Sequence, residues 1–305
     1  MIHAPARLWL AALLAAATVG CAYTDMLVTP SDRTVEEEGI YFVGENEGVR
    51  TMIVFELART WRERSSGPPY VHYDYRGYAS EDGRWKRLYN DAWSEYESPP
   101  VRLATDELQV VISNDREMDL FFDDEDHPDL ETRIKSEALV SWTGTPAVGA
   151  TLKAHSGAAT LTYRGQKIQG WLLYTEIHAS ENVYQGLEAT ILWDRRGNWW
   201  LVTAEGFLRG SGREALYANA RGTVRRVETA EVIDTDEEHE GESERALEVR
   251  IPEFDFDAHL KEVGRFGDVD DDRRLIAVDL TGRAMMRGRE RRVFALQRLG
   301  PLGRQ

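Results

Sequence analysis

The chain has 305 residues, 42% of them hydrophobic and 10% aromatic, with nine Trp and a formal net charge of −16. That acidity argues against a nucleic-acid partner and against broad adhesion to anionic lipid, and the aromatic content argues against general disorder. Cys21 is the single cysteine, so no intramolecular disulfide and no cysteine chemistry in the body is expected.

The first element is an export signal. Arg7 precedes an apolar run from Leu8 to Val19, and about 12 apolar residues fit a signal core, whereas a membrane span needs roughly 20. Thr18-Val19-Gly20-Cys21 resembles the bacterial lipobox, with Thr18 where Leu is usual. That resemblance implies lipidation of Cys21 and an acyl anchor instead of a span. Ala22 in place of Asp implies the outer membrane, facing the periplasm. The alternative is a free cysteine beside an ordinary cleaved signal. Loss of residues 1–20 removes only Arg7, leaving about 285 residues and a charge of about −17, enough for two medium β domains.

Residues 21–45, with Pro30 and the run Glu36 to Glu38, read as a tether. Beyond them, period-two patterns and short apolar runs bounded by Gly, Asp and Asn predict a mainly β body. In chain order the strands are 50–60, 70–78, 84–89, 108–113, 117–122, 158–163, 168–178, 186–193, 199–205, 221–228, 247–251, 275–280 and 292–299. Asp82-Gly83 and Arg195-Arg196-Gly197-Asn198 mark tight hairpins, and 256–263 has the spacing of a short helix. Gly and Pro between 144 and 157 suggest a boundary, giving β domains at 46–150 and 151–305. Many antiparallel strands at this spacing fit two sandwiches or barrels.

The segment Thr160 to Gly206 carries Thr162-Tyr163-Arg164-Gly165, then Gly170-Trp171-Leu172-Leu173-Tyr174-Thr175-Glu176-Ile177-His178, then Trp193, Gly197 and Trp199-Trp200. This order resembles the second half of the AttH/CrtC-type lipocalin-like family over about 60 residues, with looser agreement around Met118 to Trp142. The family's aromatic-Gly pair after the His is missing. The resemblance implies two lipocalin-like antiparallel domains. It also implies either binding of a hydrophobic molecule or hydratase-, isomerase- or cyclase-like chemistry.

Tyr174, Glu176 and His178 share one face of a strand, where a carboxylate could orient or charge the imidazole for acid–base work. The same alternation also allows that face to be solvent. Trp171, Trp193, Trp199 and Trp200 offer apolar area with one donor each for a ligand, or simply core filling. Adjacent Trp199 and Trp200 must point to opposite faces.

No metal centre is expected. Phe122 to Asp129 lacks the Gly of a calcium loop, and Arg273 stands where a loop beginning at Asp268 would need it. Asp234 to Glu244, with seven carboxylates, reads as a solvated loop. Ser211 lacks the strand-to-helix setting of a nucleophile, and no cofactor motif is present. The leading expectation is an envelope-anchored binder of a hydrophobic or amphipathic small molecule. The alternatives are an enzyme using Glu176 and His178, or a structural envelope protein. Oligomeric state is not encoded in any pattern here.

Overall fold

A computed structural model describes residues 34–62, 70–95, 105, 107–113, 117–125, 128–137, 139–147, 150–180, 189–203, 215–219, 223–227, 229–235, 237–239, 242–267 and 276–299. Cys21, the expected signal at residues 1–20, Ser211 and Asp268 to Asp272 lie outside these residues. Among the described residues no helix is long and apolar enough to cross a membrane.

The first sheet is built from β1 (Thr34–Asn46), β2 (Val49–Arg62), β3 (Tyr70–Glu81), β4 (Arg84–Glu95), β5 (Leu108–Ser113), β6 (Glu117–Phe122), β7 (Thr132–Ser136), β8 (Val140–Ala147), β9 (Ala150–Tyr163) and β10 (Gln166–Ser180). Its order is β4-β3-β2-β1-β10-β9-β7-β6-β5, with β8 also paired to β9. The second sheet takes β11 (Ala189–Asp194), β12 (Trp199–Thr203), β13 (Ala215–Ala218), β14 (Val224–Val227), β15 (Glu231–Asp234), β18 (Ala246–Ile251), β19 (Phe256–Gly267), β20 (Ile276–Met286) and β21 (Arg289–Leu299). Its order is β14-β13-β12-β11-β21-β20-β19-β18-β15. Both are antiparallel meanders in which the first and last strands pair at the centre, so each curls into a half-barrel, the mainly β, two-domain lipocalin-like architecture expected. No strict repeat is visible in the sequence, yet the two wiring diagrams match.

Tight turns hold the long hairpins in register. Glu47-Gly48, Asp82-Gly83, Arg164-Gly165 and Arg287-Gly288 all have both residues at positive φ, the backbone twist that a two-residue hairpin requires and that Gly adopts without strain.

Alternation divides each strand between two layers. Even-numbered residues of β1 and β10, such as Ile40, Phe42, Leu172 and Tyr174, enter a core inside the first half-barrel. The odd-numbered Tyr41, Val43, Leu173 and Ile177 join Ile191, Trp193, Trp199, Leu201 and Leu296 of the second sheet in a shared core. A third core, with Trp200, Phe256 and Leu280, fills the second half-barrel. Buried ion pairs cross the shared layer: Arg298 meets Glu37 and, at 2.8 Å, Glu56, and Arg50 meets Asp279 at 2.5 Å.

Four expectations are corrected. Residues 34–45 are not tether but most of β1, whose charged Glu36 to Glu38 are buried. The change of sheet falls between Ser180 and Ala189, not near 150, because β9 pairs with β10 along its whole length. Residues 256–263 are strand, since buried Ala258 and Leu260 alternate with the more open Asp257, His259 and Lys261. Within Asp234 to Glu244, β16 (Glu237–His239) and β17 (Glu242–Glu244) pair as a hairpin instead of forming a loop.

Candidate functional site

Strand register lines up polar residues across the inner face of the first sheet near the start of β1. One row runs Trp93, Tyr73, Arg59, Glu36, His178, Thr151; the next runs Asp91, Tyr75, Leu57, Glu38, Glu176, Lys153. Residues directly opposite on neighbouring strands have Cβ atoms about 5 Å apart, so two rows bring distant segments into one cluster. Tyr174, Glu176 and His178 therefore do share a face, but it is the half-barrel interior and not solvent: Tyr174 is 0% and Glu176 4% exposed.

The contacts form a chain. His178 Nδ1 lies 3.3 Å from Glu36 and its Nε2 3.7 Å from Glu176. Glu176 also faces His155 at 3.3 Å and Lys153 at 3.6 Å. Arg59 pairs with Glu38 and, at 3.3 Å, Glu36. The Tyr174 hydroxyl donates to Glu38 at 3.1 Å. His155 stacks on the Tyr174 ring, and its Nδ1 meets the Ser141 hydroxyl at 2.8 Å.

Electrostatics separates these groups into different protonation states. Burial opposes charge on His178, but its bonds to Glu176 and Glu36 outweigh burial and raise its pKa to about 9. Burial likewise pushes Glu176 up, yet His155, His178 and Lys153 hold it well below the usual carboxylate range. At Glu38 burial wins over Arg59, and the pKa rises to about 7. Burial also lifts Tyr174 far above its ordinary value. At neutral pH an imidazolium thus stands between two carboxylates, next to an acid that is partly protonated: competent proton donors and acceptors. Of the three residues picked from sequence, His178 alone reaches water, its side chain being 23% exposed.

Sequence reasoning missed Glu36, Glu38, Arg59 and His155. The signal for the first two was the spacing Glu36-x-Glu38, in phase with Ile40 and Phe42, but an acidic run soon after an expected export signal looks like a tether.

The four tryptophans do not form one site. Trp171, half-buried, and Trp193, 1% exposed, come from different sheets to border a cleft of about 310 Å³ together with Val43 and Phe294, near the hairpins Glu45 to Gly48 and Asp194 to Arg195. Trp199 is enclosed in the shared core. Trp200 packs against Phe256 and Tyr217 in the second half-barrel. Nor do the tryptophans meet the acid–base set. Trp171 and His178 sit on opposite faces of β10 and seven residues apart, roughly 23 Å along a strand.

No protein-family model matches the chain, and no curated protein matches it. Among solved structures, the chain is similar to one described as an AttH from Nitrosomonas europaea: 12% identity, TM-score 0.54, covering 87% of this chain and 92% of that one. At that identity the likeness establishes a shared fold, and it spans both half-barrels.

Proposed function

We propose that this protein binds a hydrophobic or amphipathic small molecule at the Trp171–Trp193 cleft, and that it does so at the bacterial cell envelope, tethered through a lipid on Cys21. The observation that carries the reading is the convergence of two tryptophans from separate sheets on one open cleft of about 310 Å³, a size at the lower end for small-molecule sites. Trp171 is only half-buried there, packed beside Trp193 of the shared core, and so leaves aromatic surface facing the cleft. The test is mass spectrometry of small molecules extracted from the protein purified from its own membrane, beside Trp171→Ala. A reproducible co-purifying molecule, lost in the variant, is expected; an empty wild-type protein rejects the reading. Cys21→Ser should release the protein from the membrane fraction, and retention would reject the anchor.

A second reading, acid–base catalysis, is favoured by one separate feature: the raised His178 pKa of about 9 between Glu36 and Glu176. Any such reaction would run inside the first half-barrel and not in the cleft. A folded His178→Ala protein with unchanged turnover of a candidate substrate would reject it.

A further inference from the structure

We propose that this protein has a second site, a serine nucleophile that cleaves carboxylic esters: Ser141, activated by His155, which Glu176 orients. The site goes beyond the binding reading, on the opposite face of the first sheet from Trp171, and it puts His155 instead of His178 at the reacting atom. Strand register builds it. Ser141 of β8 lies directly opposite His155 of β9, which lies opposite Tyr174 of β10, and Glu176 follows Tyr174 on the same face. The Ser141 hydroxyl meets His155 Nδ1 at 2.8 Å, and His155 Nε2 lies 3.3 Å from Glu176 Oε1. A hydroxyl, a base and a carboxylate that orients the base, each in reach of the next, are the parts that nucleophilic acyl transfer requires.

Burial is graded in the order this chemistry needs. Ser141 is exposed, on a strand that pairs with β9 alone among the described strands, whereas His155 is 1% and Glu176 4% exposed. The imidazole is held by its stacking on Tyr174, 5.4 Å between ring centres. Its Nε2 has no accessible surface and no neighbour to bond but the Glu176 carboxylate, so the ring proton belongs on Nε2 and the Nδ1 lone pair faces Ser141. Burial raises the Glu176 pKa, but its bonds to His155 and His178 and the charge of Lys153 hold it well below the usual carboxylate range, and it stays ionised. Lys153 lies opposite Thr143 and therefore diagonal to Ser141, a spacing that a long side chain spans. Its side chain is 32% exposed and brings a cation for the oxyanion. In the reaction Ser141 Oγ attacks the ester carbonyl carbon while its proton passes to His155 Nδ1. The bond from that carbon to the alcohol oxygen then breaks, and the alcohol leaves with the proton. Water attacks the acyl-serine carbonyl as His155 takes its proton; the acid departs and the proton returns to Ser141 Oγ.

Two probes test this on the full chain: a fluorophosphonate, followed by peptide mass spectrometry, and p-nitrophenyl butyrate, followed by release of the phenol. One phosphonyl adduct is expected, on Ser141, and urea-unfolded protein should stay unlabelled because a serine hydroxyl without its base is a weak nucleophile. Ser141→Ala changes an exposed position and should fold, yet lose both the adduct and the hydrolysis. His155→Gln should slow both by about 10²–10⁴-fold, the usual contribution of a general base; if that variant does not fold, wild type against Ser141→Ala decides. A folded wild-type protein without a Ser141 adduct, or hydrolysis unchanged in Ser141→Ala, overturns the proposal. Labelling of Ser141 at the same rate in folded and unfolded chains marks an ordinary hydroxyl and overturns it too.

Discussion

His178 is where one side chain most directly sets a measurable property. Its folded pKa of about 9 exceeds the ordinary 6.5, so its stabilising contribution is complete below pH 6.5 and is lost as pH rises through 9. The raised carboxylates Glu38 and Glu56, near 7, and Asp279, near 6, also bind protons more readily when folded, so they lower stability as pH rises from about 4 to 7. Glu176 acts in the opposite direction: its contribution is present above its ordinary 4.5 and disappears as pH falls through its depressed folded value. Urea midpoints measured across pH should therefore peak in mild acid and decline in two limbs. His178→Gln should abolish the alkaline limb and spare the one between pH 4 and 7. An alkaline limb that survives in the variant would show that His178 is not charged in the folded protein. Direct histidine NMR titration gives the same answer independently, with a midpoint near 9 expected.

At the scale of the strand, what was readable from sequence depended on contrast between faces. Strands such as 117–122, with buried Met118, Leu120 and Phe122 against more open neighbours, announce themselves by alternation. β1 does not, because both its faces are buried and its first half is Glu36-Glu37-Glu38. Its acidic residues are accommodated by Arg59 on one side, 21 residues from Glu38 and 23 from Glu36, and by Arg298 on the other, 261 residues from Glu37, and no local pattern encodes such pairings. The start of β9 does alternate between buried and more open residues, but its Ala150, Thr151, Lys153, Ala154 and Ser156 are small or polar, and that weak apolar contrast placed the boundary too early. The tryptophan positions were readable only in part: Trp199-Trp200 did split between layers as adjacency requires, while the meeting of Trp171 with Trp193 depends on how two sheets dock.

That dependence makes the charges between sheets testable. Arg298 is 1% exposed and forms ion pairs with both Glu37 and Glu56. Arg298→Ala leaves two buried carboxylates without a cation and should cost about 3–5 kcal/mol by urea unfolding. Adding Glu37→Gln and Glu56→Gln to Arg298→Met should recover much of that loss. If the single variant is as stable as wild type, the pairs do not hold the sheets together. Gly197→Ala should act on the cleft instead, since its φ of +74° and the Trp171 ring at 2.3 Å both oppose a Cβ. A changed Trp emission spectrum with weakened cleft binding is expected; unchanged emission would mean that Trp171 is not seated there.

For the whole molecule, the decisive feature is that the second layer of each half-barrel is the other half-barrel. Tyr41, Met52, Leu173 and Ile177 from one sheet and Ile191, Trp199, Leu201 and Leu296 from the other form one continuous buried cluster. Neither sheet can bury that face alone, and fully burying each large side chain is worth roughly 1.5–3 kcal/mol, so separating the sheets forfeits more than a typical domain's net stability. Unfolding should therefore be a single cooperative event despite two wiring units. Native-state hydrogen exchange is the discriminating measurement. Peptides from β10, in the first sheet, and β19, in the second, should open with the same free energy and the same denaturant dependence. A second-sheet opening well below the global value would mean that the shared layer is a dockable surface. The cleft between Trp171 and Trp193, which is built from both sheets, would then exist only while they are docked.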